Sequence, residues 1–499
     1  MRPYERNEQH ERTMAAAGTG LSPEQLARNA LHRRAIEAVV WGMPAVNTDL
    51  MYQAMAREVK GEWNQIVYWS RLLDWKNQTL TPNPGAIYLM PFFNTAQAGP
   101  MVIDIPPANG GSITGSIMDC WQTPLEDVGP AGVDKGKGGK YLILPPGYSD
   151  SVPDGYIALR SQTYQGYALL RSILGSGSDT DFAKAVEYGK RIAFYPLSAA
   201  ANPPATTYLD AADVVFDATI PYDVRFFESL ARMVESQPWL ERDRTMIDTL
   251  RTLGIEKGKA FNPDADREIM NGAAQEARQW LNLQYEASLL PPFYDGGHWA
   301  LPAASGLMDS MQSSFADPDR YPLDGRGTTY AMAFFCPKHS GMGSYYLMAT
   351  KDNEGRSFDG GSTYRLRVPP NVPVRQYWSA TVYDRATHGL VRDMTRASRS
   401  SQSPGLQVNG DGSVDIYFGP EAPPNEEPNW VPTSPQASSK CSSAFTVPTS
   451  RCSRRRRGDC PISRKPEACH GDRPERTTED RHAYRHARVH PRLRQRVSD

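Results

Sequence analysis

The first 435 residues hold only two cysteines, Cys120 and Cys336, a scarcity that argues against a disulfide scaffold. No run of about 18 apolar residues occurs, so no membrane span and no membrane partner are expected. The opening stretch MRPYERNEQHERTMAAAGTGLSPEQ lacks an apolar h-region, which argues against a secretory signal and makes the cytoplasm the expected location. Histidine is sparse in the body: His10, His32, His298, His339 and His388 form neither HxH nor HExxH, which argues against a zinc hydrolase. The nucleophile elbow Gly-x-Ser-x-Gly is absent. So is the phosphate loop GxxxxGK[ST], which leaves the Gly- and Lys-rich stretch 129–139 as an exposed loop.

What is present is unevenly distributed. Lys+Arg and Asp+Glu nearly balance over the whole chain, 55 against 56. Residues 436–499, however, hold 16 basic and 7 acidic residues, which leaves 39 and 49 for the rest: a tail at +9 on a body at −10. The tail also carries Cys441, Cys452, Cys460 and Cys469, without the close cysteine pairs of a zinc site. Arg454–Arg457 has no interleaved aromatics, and no nucleic-acid partner is expected.

A chain of 499 residues has room for two or three domains. Residues 1–21 read as a disordered arm. Ser22-Pro23-Glu24 then starts a helix, with serine as N-cap and proline in the first turn. It is expected to break near Pro44, followed by a short helix over 49–59. Short strands follow at Gly85–Phe93, Met101–Ile105, Ser112–Trp121, Lys140–Leu144 and Gly155–Arg160, punctuated by Gly and Pro turns. Residues 180–290 carry helical apolar spacing. Strands are expected to resume near Thr328. In 363–368 and 376–384 apolar and polar residues alternate with period two, the mark of half-buried strands. Asn409-Gly410-Asp411-Gly412, between Leu406–Val408 and Val414–Phe418, predicts a hairpin. The order helices, strands, helices, strands predicts an α+β fold with segregated layers.

Several stretches resemble proteins that pair the domains of unknown function numbered 1254 and 1214. The N-terminal likeness rests on Thr81-Pro82-Asn83, Tyr88, Gly99-Pro100 with MVIDIPP, and IMDCW at 117–121. The helical likeness rests on RFFESLARMV and on Gly254, Gly258 and Phe261. The C-terminal likeness rests on KDNEGRSFDGGSTYRLRVP, Tyr377-Trp378-Ser379, NGDGSVDIYFGP and Asn429-Trp430. It covers roughly residues 35–433. The resemblance implies two antiparallel β-sandwich, jelly-roll-like domains joined by a helical segment; it carries no activity and no catalytic residues. The expected divisions are 22–175 for the helices and first β domain, 176–300 for the helical linker and 301–435 for the second sandwich. Residues 436–499 are left as a disordered tail. Family members usually continue after residue 433 with an apolar strand, an Arg-x-Tyr-x-Pro segment and a closing Trp-containing strand. Here the chain turns Arg- and Cys-rich, which is what a frameshift near codon 435 produces.

Carboxylates beside aromatics are the best chemical candidates. Asp119 near Trp121 and Asp384 near Trp378 fit acids whose pKa apolar neighbours raise, and equally fit strand-end carboxylates capped by turn amides. Asn83, Tyr88, Trp121, Arg160, Arg171, Arg326 and Trp378 are candidates for a polar or aromatic ligand pocket. Asp317, Asp319 and Asp324 resemble part of a calcium loop, but Tyr321 and Thr328 stand where ligands are required. Asp352, Asn353, Glu354 and Asp359 form a similar Asp- and Gly-rich turn. Turn chemistry explains both, with a divalent cation as the minor alternative, and no metal site or cofactor is expected. The leading expectation is a homo-oligomeric binding or structural protein with a pocket between its β domains. The alternative is a hydrolase- or lyase-like enzyme acting on a glycan or small organic molecule.

Overall fold

The computed structural model describes residues 20–173, 175–176, 178–293, 297–304, 306–333, 336–339, 344–372, 374 and 377–435, and the backbone of 439–446. Apart from residues 20–21, the expected N-terminal arm lies outside these residues, as does most of the expected tail.

Helix α1 (Pro23–Glu58) begins where the sequence places it: the Ser22 hydroxyl accepts the Gln25 amide, and the Gln25 side chain accepts the Ser22 amide in return. The expected break at Pro44 does not occur, and the helix runs on to Glu58. The surroundings hold it together. The Pro44 carbonyl accepts both Thr48 Oγ1 at 3.2 Å and Gln122 Nε2 at 3.0 Å. A Cβ on Gly327 would stand 2.6 Å from the Val40 carbonyl, the group Pro44 leaves without a helical donor, so only glycine lets the backbones approach there.

The chain then alternates short strands: β1 (Gln65–Tyr68), β2 (Asn77–Gln78), β3 (Ile87–Asn94), the one-turn helix α2 (Thr95–Ala98), β4 (Met101–Ile105), β5 (Ile113–Asp119), β6 (Pro124–Val128), β7 (Gly139–Leu144), β8 (Tyr156–Arg160) and β9 (Gln165–Ser172). Helix α3 (Asp179–Gly189) leads to β10 (Ala193–Pro196), β11 (Tyr208–Asp210) and β12 (Phe216–Asp217). Two sheets result, in the orders β11-β1-β3-β9-β5-β6 and β10-β4-β7-β8, with a small β12-β2 pair beside them. Ile87, Leu89, Phe93, Ile117 and Leu170 from the first sheet share one core with Met101, Ile103, Tyr141 and Phe194 from the second. The other face of the large sheet, with Met90, Phe92, Met118 and Tyr167, packs on Met51, Ala54 and Met55 of α1. That is why β3 and β9 are buried on both faces and lose the alternation that marks other strands. Strand β9 is illegible in the sequence for this reason. The β1–β11, β7–β8, β12–β2 and later β17–β18 pairs are parallel, so the sheets that contain them are not purely antiparallel. Recruitment of β10 and β11 carries the first β unit past the expected boundary at 175.

Gly115 of β5 stands opposite Leu170 of the neighbouring strand β9, and a Cβ there would stand 1.9 Å from the Leu169 carbonyl oxygen. Gly115→Ala is expected to cost about 3 kcal/mol through forced backbone displacement, read as a lowered urea midpoint.

The helical layer comprises α4 (Val224–Ser236), α5 (Met246–Arg251), α6 (Arg267–Ser288), α7 (Leu307–Gln312) and α8 (Leu323–Met332). Phe226, Phe227 and Leu230 of α4 pack with Ala273, Ala277 and Leu281 of α6 against Val39, Trp41 and Met43 of α1. Residues 323–332 are thus helical, not the resumed strands that the sequence predicts, because Tyr330, Ala331 and Met332 join this helical core.

The second β unit holds β13 (Ser344–Ala349), β14 (Tyr364–Val368), β15 (Trp378–Asp384), β16 (Ser398–Ser400), β17 (Val414–Gly419), β18 (Trp430–Pro432) and β19 (Ser439–Thr446). Its sheets are ordered β13-β19-β15-β16 and β14-β17-β18. Trp378, Ala380 and Val382 share a core with Val368, Val414, Ile416 and Val431. Strand β15 is buried on its second face too: Tyr383 joins the core against the first unit and donates to the Pro82 carbonyl at 3.0 Å. The Asn409–Gly412 turn forms, but Leu406–Val408 is not a strand, and β17 pairs with β14 and β18 instead. Strand β19 lies beyond residue 435. A ladder between β13 and β15 satisfies backbone groups on both strands that would otherwise be open edges.

Candidate functional site

Asp119 ends β5, and the turn after it throws Trp121 into the helical core. Gln122 takes a left-handed φ of 59°, and Asp119 Oδ1 accepts the amides of Trp121 at 2.9 Å and Thr123 at 2.8 Å. Burial pushes the Asp119 carboxyl up to about 6, against the pull of Arg242 and of these amides. Burial likewise holds the neighbouring Cys120 thiol well above its usual value.

Trp121 meets Trp41 of α1 with ring centroids 4.6 Å apart, and Trp41 stacks on Trp239 at 6.1 Å. Arg326 enters from α8, fully buried, between Trp121 at 5.3 Å and Tyr321 at 5.1 Å. Its Nη2 donates to the Trp41 carbonyl at 2.9 Å. Asp243 Oδ1 accepts Trp41 Nε1 and Tyr321 Oη, each at 2.8 Å. Arg242 lies over Phe315 at 4.7 Å, with its Nε 3.6 Å from Asp243 Oδ2.

The donors here outnumber their acceptors. In this cluster, among the described residues, Arg326 Nε and Nη1, Trp121 Nε1 and Arg242 Nε and Nη2 are buried without a hydrogen-bond partner, as is the acceptor Asp243 Oδ2. Each such group costs about 1–3 kcal/mol if left unmet, and more when charged.

The other expected residues are dispersed. Asn83 and Tyr88 sit in a second polar cluster: the Asn83 amide donates to Tyr88 Oη at 3.0 Å, and Asn83 Nδ2 to Tyr377 Oη at 3.4 Å. Arg171 lies over Tyr88 at 5.7 Å and donates to Tyr346 Oη at 2.9 Å, joining both β units. Arg160 is exposed and donates to the Tyr148 carbonyl. Trp378 belongs to the second core. Asp384 accepts the Ala386 and Thr387 amides in its own turn. The acidic loops are turn caps as well: Asp317 accepts the Asp319 amide, Asp352 those of Glu354 and Arg356, and Asp359 that of Gly361. Among the described residues no group of three or more His, Cys, Asp or Glu is placed to hold a metal ion. Trp41, Arg242, Asp243 and Tyr321 escape sequence reasoning, because nothing local ties a tryptophan in α1 to an Arg-Asp pair two hundred residues on.

Among the described residues no helix is long and apolar enough to cross a membrane. No curated protein matches the chain. A structure of a protein from Vibrio parahaemolyticus is similar at 17% identity, covering 84% of this chain and 96% of that one, with a TM-score of 0.52. A second, an uncharacterised protein from Burkholderia cenocepacia, is similar at 12% identity, covering 85% and 92%, with a TM-score of 0.37. The first likeness shows the fold alone. The family described as protein of unknown function DUF1254 matches residues 63–196, and the family described as protein of unknown function DUF1214 matches residues 343–448. The chain is therefore a protein that pairs a DUF1254 domain with a C-terminal DUF1214 domain.

Proposed function

We propose that this protein binds a small planar carboxylate at Arg326, in a body of two β-sandwich-like units clasped by the α1-centred helices. The observation that carries the reading is the fully buried Arg326 guanidinium, with Nε and Nη1 unmet beside the unmet Trp121 Nε1. A carboxylate accepts from the guanidinium with one oxygen and from the Trp121 indole N–H with the other, and aromatic walls favour a flat ligand. Acid/base catalysis by Asp119 draws support only from its raised pKa, since its Oδ1 is occupied by two amides and Asp384 sits in a separate turn.

The test is calorimetric titration of the full chain with benzoate, with benzamide as the neutral counterpart. Benzoate is expected to bind and to raise the melting temperature, by about 2.7 kcal/mol of added stability at a hundredfold excess over Kd. Trp121→Phe keeps the ring and removes one donor, and is expected to weaken binding about tenfold with the fold intact; Arg326→Gln is expected to abolish it. Equal affinity for benzoate and benzamide, or no binding of either, overturns the reading.

We further infer that the residues from about 436 onward are read in a displaced frame. The support is the charge step from −10 to +9 and the cysteines and arginines crowded beyond it.

A further inference from the structure

We propose that the gene's displaced frame encodes the native occupant of the slot between β13 and β15. The inference rests on the displaced-frame reading above and specifies which frame and which strand. The register places Cys441 opposite Val382, Ser443 opposite Ala380 and Phe445 opposite Trp378. Those three partners are buried members of the second core. Residues directly opposite across a ladder lie on the same face, so a strand in this slot needs apolar residues at all three positions. The present sequence supplies cysteine, serine and phenylalanine there.

The genetic code constrains what the same nucleotides say in another frame. Consider the frame in which each codon takes the last nucleotide of one present codon and the first two of the next. Lysine codons end in A or G and cysteine codons begin UG, so Lys440 and Cys441 together give AUG or GUG: methionine or valine at the position opposite Val382. Phenylalanine codons begin UU, so Ala444 and Phe445 give phenylalanine, leucine, isoleucine or valine opposite Trp378, whatever the alanine codon. With Ser443 read from the UC serine codons, the codon straddling Ser442 and Ser443 ends UC, so the position opposite Ala380 takes phenylalanine, leucine, isoleucine or valine.

The positions between them behave differently. Ser439 and Lys440 give a codon ending AA, which encodes lysine, glutamate or glutamine, or is a stop. Ser443 and Ala444 give a codon ending GC, which encodes arginine, serine, cysteine or glycine. Phe445 and Thr446 give a codon that begins U or C and ends AC, which encodes tyrosine or histidine. The displaced frame, with a UC codon at Ser443, thus writes apolar residues at all three core positions and polar, small or amphipathic ones at 440, 444 and 446. The remaining frame imposes no such alternation: Ser443 and Ala444 there give a codon with G as its last letter and leucine, proline, glutamine, arginine or another residue according to the serine codon. A basic, cysteine-rich segment has no reason of its own to carry, one nucleotide out of step, an apolar strand in register with that core.

The test is the nucleotide sequence across codons 433–458, followed by expression of the full chain in both frames. The expected result is an open displaced frame with apolar residues opposite Trp378, Ala380 and Val382. The restored chain is expected to give more soluble protein and to melt about 5 °C or more above the present one. A stop codon in the displaced frame before codon 446 overturns the frame reading itself. An open frame with AG-type serine codons, placing a charged or amide residue opposite Ala380, overturns only the assigned strand. Equal yield and equal melting temperature for the two chains overturn it too.

Discussion

Replacing Trp41 with alanine is expected to cost about 3–5 kcal/mol of stability, the range for deleting a fully buried large aromatic. Trp41 is 0% exposed, and its ring lies against both Trp121 and Trp239. Its Nε1 is also one of two donors to Asp243 Oδ1, so truncation strips a buried carboxylate of a partner. Typical domains are stable by about 5–15 kcal/mol, so the loss takes roughly a fifth or more of the whole. The same change removes the floor on which Trp121 and Arg326 rest and is expected to abolish benzoate binding. Equilibrium urea unfolding measures the first effect, with Val408→Ala, at 61% exposure, as a control expected within about 0.5 kcal/mol of the parent. A loss below about 1 kcal/mol at Trp41 contradicts its place at the centre of the helical core.

Asp119→Asn is expected to stabilise the protein at pH 8, contrary to the usual result of removing a buried, hydrogen-bonded side chain. The folded-state carboxyl titrates at about 6, against 3.8 for an ordinary aspartate, because burial disfavours the charge. Below about pH 4 the group is protonated in both folded and unfolded chains, and the shift costs nothing. Between about 4 and 6 the unfolded chain releases the proton while the folded one retains it, so stability falls as pH rises. Above about 6 the full penalty is present, on the order of 3 kcal/mol for two pKa units. Asparagine keeps the Oδ1 acceptor for the Trp121 and Thr123 amides and carries no charge. The variant and parent are therefore expected to match at pH 4 and to diverge by up to about 3 kcal/mol at pH 8. Losing the negative charge beside Arg242 is also expected to tighten benzoate binding several-fold at pH 8. Parallel stability curves across that range contradict the buried, raised carboxyl.

Much of the fold is legible where one face of an element meets water. The Ser22-Pro23 cap, the alternation in Met101–Ile105 and Tyr364–Val368, and the apolar stripe of α6 all follow from a period matched to one buried face. Legibility fails where burial is two-sided. Strand β9 lies between a helix layer and a second sheet and reads as an unpatterned apolar run. Pro44 reads as a break under a local rule, yet the carbonyl it frees is approached by Gly327 from a distant helix, which no local rule contains. The site is half legible. Asp119, Trp121 and Arg326 stand out by residue type, and the fold brings them to one place. Asn83 and Tyr88 go to a different cluster, and Arg160, Trp378 and Asp384 are scattered, because a sequence carries no distance between positions hundreds of residues apart. Asp243, which ties Trp41 to Tyr321, carries no local signature at all.

The most direct measurement is a crystal structure of the full chain grown with benzoate, at a resolution that shows ordered solvent. The expected result is a carboxylate bridging Arg326 Nη1 and Trp121 Nε1, its ring flat against the indoles. Density for water alone at those donors, or an Arg326 side chain turned onto Asp119 or Asp243, contradicts a receptor for an anion at this place.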